Sequence, residues 1–455
     1  MRGFKNRFVF AGVPAPVRRT ASLAERLTMK ETRSAVEQDR SFVQSTPAAL
    51  DRRDVHWILG LYGTAVGAGT LFLPINAGIG GFWPLLMIAL LAFPITFFAH
   101  RGLTRFVLSG AEAGDVDITD TLKRHFGATL GRAVTLLYFF AIFPILLVYS
   151  VAITNTVQSF IEHQLGLSAP PRAWLAAMLI ASLVLVARGG QRLILRAMSM
   201  LVYPFIAALI ALALFLIPHW DGAFLASAGA PIDFGGLSLT LWLAVPVMVF
   251  SFNHSPMISA FAVDQHRRYG AAASQQASRL LAIAHLMMVV TVMFFVFSCV
   301  MTLTPADLSA AKAQNVSILS YLANRLDTPL IALAAPLIAF IAIGKSFLGH
   351  YIGAREGLRG LLGGRHGGGL GRTFEWGCAL GIAAVCWGVA TLDPSILGLI
   401  EGLGGPVIAA LLFLMPMIAI ATVPALARYR RAPSNPFVVV VGVVAISATL
   451  YGLFG

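Results

Sequence analysis

Apolar runs of about 20 residues recur along the chain, and this repetition constrains the fold more than any other feature of the sequence. Only 12% of the residues are charged, where soluble globular chains carry roughly 25%, so an ordinary soluble enzyme is excluded. We therefore predict an all-α polytopic membrane protein with the lipid bilayer as its solvent. Its eleven transmembrane helices are expected at about 55–76, 82–108, 133–160, 173–188, 193–217, 237–262, 280–303, 329–354, 374–391, 402–424 and 436–454.

Positive charges alternate from one predicted loop to the next. Of the 33 Lys and Arg residues, 29 fall in the segment before the first span and in every second loop after it. Because cytoplasmic loops carry the excess of Lys and Arg, we place the N-terminus in the cytoplasm and the C-terminus outside. Topology accounts for the net charge of +13, and no nucleic-acid partner is expected. Residues 1–53 are predicted to form a flexible basic cytoplasmic tail, and 54–455 the transmembrane domain.

The first span contains three glycines between Gly63 and Thr70. Each glycine in a helix interior costs about 1 kcal/mol relative to alanine, so this cluster predicts a place where the helix stops and restarts. Unwound backbone inside a membrane is tolerated beside a cavity, and the N-terminus of the restarted helix favours a carboxylate there. The alternative is that these small residues only permit close helix packing.

The sixth span is interrupted by polar residues in the same way. Ser251, Phe252, Asn253, His254 and Ser255 are followed by Pro256, which removes a backbone donor and frees a carbonyl one turn earlier. These groups suit an ammonium group or a hydroxyl. The alternative is a proline kink whose polar groups satisfy one another.

The two interruptions lie five spans apart, so their halves enter the membrane from opposite sides. This pairing indicates an inverted repeat of five plus five helices with a binding site between the repeats. We expect repeat 1 at about 55–217, repeat 2 at about 237–424, and one extra helix at 436–454.

Lys345 is the charged residue that lies well inside a span, whereas the carboxylates fall in loops or at span ends. An ionisable group in a membrane is a functional hypothesis by default, and burial favours its neutral form. The ammonium then replaces a metal cation in the scaffold and loses its proton during a transport cycle. The alternative is a lysine that snorkels to the surface near Arg355. His285 and His350 are further proton-relay candidates, and the alternative is that they are hydrogen-bonded packing histidines. Tyr138 and Tyr149 are candidates for lining the site, although Tyr is also common at membrane interfaces.

Catalytic motifs are missing from the sequence. It contains no H-E-x-x-H and no G-x-S-x-G, and it offers His254 no second acid or base as a partner. We therefore predict a protein that is not an enzyme and needs neither a metal nor a cofactor. A channel is the other alternative, and it would not accumulate a solute against a gradient.

Four segments carry a family resemblance: Gly63 to Pro74, Phe98 to Phe106, Phe250 to Pro256 and Lys345 to Tyr351. They resemble the serine/threonine branch of the hydroxy/aromatic amino-acid permeases, within the amino acid/polyamine/organocation superfamily, from about residue 54 to the C-terminus. The resemblance implies the leucine-transporter type of fold, with helices 1 and 6 broken, and a place in the bacterial inner membrane.

The resemblance also implies a function and a set of site residues. The function is proton-coupled uptake of L-serine, with L-threonine as an open second substrate; the alternative is a proton- or sodium-coupled carrier of aromatic or other neutral amino acids. The partners are then the amino acid, protons and the bilayer. The expected substrate-binding residues are Thr64, Gly67, Ala68, Gly69, Thr70, Tyr149, Ser251, Phe252, Asn253, His254 and Ser255, and the expected proton-coupling residues are Lys345, Ser346 and His350.

Overall fold

The computed structural model describes residues 50–111, 117–229, 233–326, 328–362 and 372–454. Of the predicted tail, residues 1–49 lie outside this described part. In chain order the main helices are α1 (Arg52–Ala65), α2 (Ala68–Ile79), α3 (Phe82–Ala111), α4 (Ile118–Ser159), α5 (Arg172–Arg188), α6 (Gln191–Leu216), α7 (Phe234–Ser251), α8 (Ser255–Tyr269), α9 (Ala273–Thr302), α10 (Pro305–Ala313), α11 (Ile318–Arg325), α12 (Pro329–Leu361), α13 (Arg372–Leu392), α14 (Ile396–Thr422) and α15 (Ser434–Phe454).

Within the described residues, nine helical segments are long and apolar enough to cross a membrane, and the bent pair of α1 and α2 would make ten. The chain is an all-helical membrane protein. The predicted count of eleven is not reached, because the predicted span 173–188 corresponds to α5, which has 17 residues. At 1.5 Å per residue, α5 is about 26 Å long, slightly shorter than the hydrocarbon core of a bilayer.

The first predicted span consists of two helices that meet at an angle of 53°. Helix α1 ends at Ala65, Val66 is extended (φ −78°, ψ 94°), and Gly67 (φ −148°, ψ −141°) precedes the first residue of α2. Both linking residues are buried. The predicted interruption of this helix is confirmed.

The sixth predicted span is interrupted as well. Helix α7 ends at Ser251 and α8 begins at Ser255, so three residues between them leave the helical conformation. The Asn253 side chain accepts a hydrogen bond from the backbone N–H of Ser255 at 3.0 Å, which is an Asx turn. Pro256 occupies the first turn of α8, where its missing N–H is not needed.

Helix α12 joins these two breaks to the other helices. It packs along α4 and also contacts α1, α6 and α8. Glycines on one face permit this close approach: a Cβ added to Gly349 would lie 2.7 Å from Oγ1 of Thr64, and one added to Gly353 would lie 2.7 Å from Cβ of Pro256. Close packing of this kind is typical of small residues four positions apart in membrane helices.

The end of the bundle at which α1 begins is closed by ion pairs between α1 and α8. Nη1 of Arg268 donates to the fully buried carboxylate of Asp54 at 2.8 Å. Asp264 pairs with Arg53 and accepts a hydrogen bond from Nε1 of Trp57 at 2.6 Å. These contacts hold the first half of the broken span against the second half of the other one.

A cavity of about 520 Å³ lies at the opposite end, between α2, α7 and α14. Its lining includes Asn76, Pro246 and Glu401, and Nδ2 of Asn76 donates to Glu401 at 3.1 Å. Pro246 is one helical turn before Phe250, which contacts the α1–α2 break. The structure is therefore closed at one end of the broken helices and has a cavity at the other.

Candidate functional site

The end of α1 is occupied by a lysine from α12. Nζ of Lys345 donates to the carbonyl oxygen of Gly63 at 3.0 Å and also to that of Val66. The Ser346 hydroxyl contacts the same two oxygens at 3.2 and 3.1 Å, and the Phe205 ring centroid lies 4.2 Å from the ammonium. Carbonyls at a helix end lack intrahelical donors, and here the side chains of α12 supply them.

Lys345 is 1% exposed, so its ammonium does not snorkel to the surface and the alternative interpretation is wrong. Among the described residues, no ion pair joins it to a carboxylate. Its charge is solvated by carbonyl dipoles and by an aromatic face, which are the ligands that a bound cation would have.

The N-terminus of α2 faces the interior of the bundle. The first N–H groups of this helix, which include those of Ala68 and Gly69, have no intrahelical acceptors and carry the positive end of the helix dipole. The Thr70 hydroxyl donates to the carbonyl of Gly67 at 2.8 Å. A Cβ on Gly69 would lie 2.8 Å from Cα of Ser251, so the two breaks touch.

The α7–α8 break holds buried polar atoms that have no hydrogen-bond partner among the described residues. They are Nδ2 of Asn253, Nε2 of His254 and Oγ of Ser255. An unsatisfied buried polar group costs about 1–3 kcal/mol, and three of them together indicate a place made for a ligand. The Ser251 hydroxyl differs, because it donates to Val247 of its own helix at 2.7 Å.

Helices α4 and α12 complete the same region. The ring centroids of Tyr149 and His350 lie 5.2 Å apart, and the Tyr149 ring lies 6.4 Å from that of Phe250. His350 donates from Nδ1 to the carbonyl of Ser346, and its buried Nε2 has no hydrogen-bond partner in the described part of the chain. A Cβ on Gly67 would meet Ser346 at 2.3 Å.

The predicted site residues are therefore fully buried and meet where the two breaks, α4 and α12 come together. Thr64 makes its contacts elsewhere, since its hydroxyl donates to the carbonyl of Gly60 within α1 and its side chain packs on Gly349. The remaining members of the region are Gly67, Ala68, Gly69, Thr70, Tyr149, Ser251, Phe252, Asn253, His254, Ser255, Lys345, Ser346 and His350.

His254 has two partners that the sequence did not reveal. His100 of α3 and His285 of α9 are fully buried beside it, and ligand nitrogens of the three rings lie within 4.8 Å of one another. The His100 and His254 rings are stacked, with centroids 3.8 Å and planes 12° apart. The expectation that His254 lacks a second acid or base is therefore wrong. The sequence signal that was available is His100, a histidine within the second apolar run, 82–108.

The stacking decides what this cluster can bind. The lone pair of an imidazole nitrogen lies in the plane of its ring, so two stacked rings direct their lone pairs side by side rather than at one point. A zinc ion needs ligand nitrogens at about 2.0–2.1 Å that converge tetrahedrally. The three histidines do not fit a shared metal ion in this arrangement.

A carboxylate that sequence analysis left at a span end lies within a long helix. Glu356 belongs to α12 and accepts a hydrogen bond from the Ser259 hydroxyl of α8 at 2.7 Å, and the Tyr138 hydroxyl of α4 lies 3.4 Å away. This residue was missed because the apolar run ends before it, whereas the helix continues to Leu361.

Comparison with known proteins identifies a protein family and close relatives of this chain. The model of the tryptophan/tyrosine permease family matches residues 57–447. The serine transporter SdaC of Escherichia coli K12 is 59% identical over 424 residues, which are 90% of this chain and 98% of that protein. The serine transporter SdaC of Shigella flexneri is 58% identical over the same length. These matches confirm the resemblance found in the sequence.

A solved structure supports the fold. The crystal structure of MhsT in complex with L-phenylalanine, a transporter of the leucine-transporter fold, matches with a TM-score of 0.56. The match covers 90% of this chain and 99% of that chain at 17% sequence identity. It supports the architecture and carries no information about the substrate.

Proposed function

Because the chain belongs to the tryptophan/tyrosine permease family, and is therefore a transporter rather than an enzyme, we propose that it takes up L-serine together with protons. Uptake proceeds by alternating access across the inner membrane of a bacterium, with L-threonine as a second substrate. The 59% identity to the Escherichia coli serine transporter extends over nearly the whole of both chains and supports this choice of substrate.

One observation carries the proposal: buried polar atoms that have no hydrogen-bond partner among the described residues lie beside the N-terminus of α2. The serine zwitterion has a carboxylate, an ammonium group and a hydroxyl, which match these groups in number and polarity. The N–H groups from Gly67 to Thr70 receive the carboxylate. The break from Ser251 to Ser255 binds the ammonium group and the hydroxyl, and Tyr149 covers them from α4.

Lys345, Ser346 and His350 are the proposed coupling residues on α12. The Lys345 ammonium holds the end of α1 through two carbonyls, so its charge acts on the broken helix directly. Ser346 shares these carbonyls, and the free Nε2 of His350 stands beside Tyr149. Neither a metal nor a cofactor takes part in this scheme.

The proposed topology has eleven spans, with the N-terminus in the cytoplasm and the C-terminus outside. Helix α5 serves as the fourth span, because membranes adapt to a helix a few ångströms too short. Helices α1 to α6 and α7 to α14 form the two inverted repeats, α15 is the additional helix, and the chain before α1 lies on the cytoplasmic side. The excess of Lys and Arg in alternate loops supports this orientation.

Substrate competition tests the proposal. Purified protein in liposomes is given labelled L-serine, with unlabelled L-serine, L-threonine, L-tryptophan or L-alanine in about hundredfold excess. We expect serine to compete best and threonine next, since the unpartnered atoms of Asn253 and Ser255 match a small hydroxylated side chain. Competition by tryptophan above all others would reassign the chain to aromatic substrates.

A further inference from the structure

The three buried histidines His100, His254 and His285 belong to three different helices, and the proposed coupling residues on α12 leave them without a role. Each ring has a hydrogen bond from Nδ1 to a backbone carbonyl: Thr96 for His100 at 2.8 Å, Phe252 for His254 at 3.2 Å, and Leu281 for His285 at 2.8 Å. A carbonyl oxygen only accepts, so each Nδ1 carries the hydrogen. In the neutral rings each Nε2 therefore carries a lone pair that can accept a hydrogen bond or a proton.

The surroundings of the three Nε2 atoms differ. Nε2 of His100 faces the backbone N–H of His254 at 3.2 Å, and Nε2 of His285 faces the protonated Nδ1 of His100 at 3.4 Å. A proton added to Nε2 of His100 or of His285 would point at another N–H group, and two donors cannot form a hydrogen bond with each other. Nε2 of His254 is buried and meets no donor among the described residues.

We propose that His254, held by His100 and His285, carries the coupled proton on its Nε2 atom. This inference rests on the proposed proton-coupled uptake and names the group in the substrate site that takes up the proton. The added proton makes His254 a cation and a hydrogen-bond donor between Asn253 and Ser255, where it meets an oxygen of the bound amino acid. The stacked His100 ring offers its face to this cation at a centroid distance of 3.8 Å.

Coupling follows from the cost of a buried charge. A cation at His254 without an anionic or polar partner is unfavourable in the membrane interior. An amino-acid oxygen supplies that partner, so bound substrate favours protonation, and by reciprocity protonation favours bound substrate. When the substrate dissociates, the protonated His254 loses its hydrogen-bond partner and releases its proton on the same side of the membrane.

Other ionisable groups face His254 from the helices packed around it. They are His100 of α3, His285 of α9 and His350 of α12, and Tyr149 of α4 packs on His350. Glu356 of α12 reaches α8 through Ser259, five residues after His254. The pairs of Asp264 and Arg268 with α1 lie at the far end of α8, at least ten residues or about 15 Å along the helix. The ring centroids of His100 and His285 lie 3.8 and 4.7 Å from that of His254, so these two histidines are placed to exchange a proton with it.

Calorimetry of serine binding to the purified full-length protein tests the proposal. Titrations in two buffers of different ionisation enthalpy give the number of protons taken up per serine across the pH range. We expect the wild type to take up about one proton per serine at its maximum, in accordance with one open Nε2. His254→Gln, whose amide keeps a donor in this place, should bind serine without proton uptake. His163→Gln is the control, because His163 likewise donates from Nδ1 to a backbone carbonyl, that of Ser159 at 3.1 Å, but lies outside the proposed site; this variant should retain the uptake.

A second variant keeps the test decisive if His254→Gln does not bind serine. His100→Gln removes the stacked ring without removing a group that touches substrate, and should move the midpoint of proton uptake to lower pH by about one unit.

An unchanged midpoint in His100→Gln, or undiminished uptake in His254→Gln, would overturn the proposal. So would inhibition of the wild type by Zn²⁺ that His285→Gln abolishes, since that result would indicate a metal site. If the wild type bound no serine at all, the proposed function would fail instead.

Discussion

The ammonium nitrogen of Lys345 lies 3.0 Å from the carbonyl oxygen of Gly63, at the point where α1 ends. The same nitrogen donates to Val66, so one side chain of α12 satisfies two carbonyls that the interrupted helix leaves open. A change in the charge of this group alters how tightly the broken span is held to α12. Substitution of Lys345 therefore tests whether this contact takes part in the transport cycle.

Lys345→Met removes the charge and the donors but keeps much of the side-chain volume. We expect exchange of internal and external serine to continue, while proton-driven accumulation falls by at least about tenfold. The measurement is the steady-state level of labelled serine in proteoliposomes. Lys123→Met is the control, because this lysine also donates to a backbone carbonyl, that of Gly360 at 2.9 Å, but lies outside the proposed site; the variant should still accumulate serine. Normal accumulation by Lys345→Met would remove Lys345 from the coupling mechanism.

Gly67→Ala should block transport through a steric clash. The new Cβ would lie 2.3 Å from Oγ of Ser346, so the break must shift, and an overpacking cost of 1–3 kcal/mol corresponds to a loss of about 5- to 150-fold in uptake. Gly381→Ala in α13 meets nothing within 4 Å and should leave uptake unchanged. The double variant with Ser346→Gly should recover part of the activity. Full activity of Gly67→Ala would contradict the tight junction at this break.

Ser255→Ala and Ser251→Ala separate two hydroxyls of the same break. The Ser255 hydroxyl has no partner in the described residues, so its removal leaves folding intact and raises KM for serine by about tenfold. The Ser251 hydroxyl is bound to Val247, and its removal should change KM much less. Initial rates of uptake over a range of serine concentrations measure both. Equal KM values for the two variants would mean that serine does not bind to the Ser255 hydroxyl.

Sequence predicted the helical segments and both interruptions, because glycines, prolines and polar residues stand out within apolar runs. Gly63 to Thr70 and Ser251 to Pro256 carry this local signal. The meeting of His100, His254 and His285 was not predictable, since it depends on how three helices pack. The early start of α4 was also missed: Gly127, with φ of +78°, forms a kink between a first helical segment, 118–126, and the apolar span.

Arg268→Gln should destabilise the closed end more than Arg53→Gln. The first change leaves the carboxylate of Asp54, which is fully buried, without its cation. The second removes a guanidinium that is 62% exposed, where an ion pair contributes little. Thermal unfolding of the solubilised protein measures both, and we expect a drop in Tm of several degrees for Arg268→Gln only. Equal Tm values would mean that the pair does not hold this end together.

The most direct measurement of the central claim is accumulation of labelled L-serine in proteoliposomes under an inward proton gradient, with sodium left out. Proton-coupled uptake predicts that the serine concentration inside exceeds its equilibrium value, and a protonophore should abolish the excess. Accumulation only when sodium replaces the proton gradient, or mere equilibration under either gradient, would contradict proton-coupled uptake.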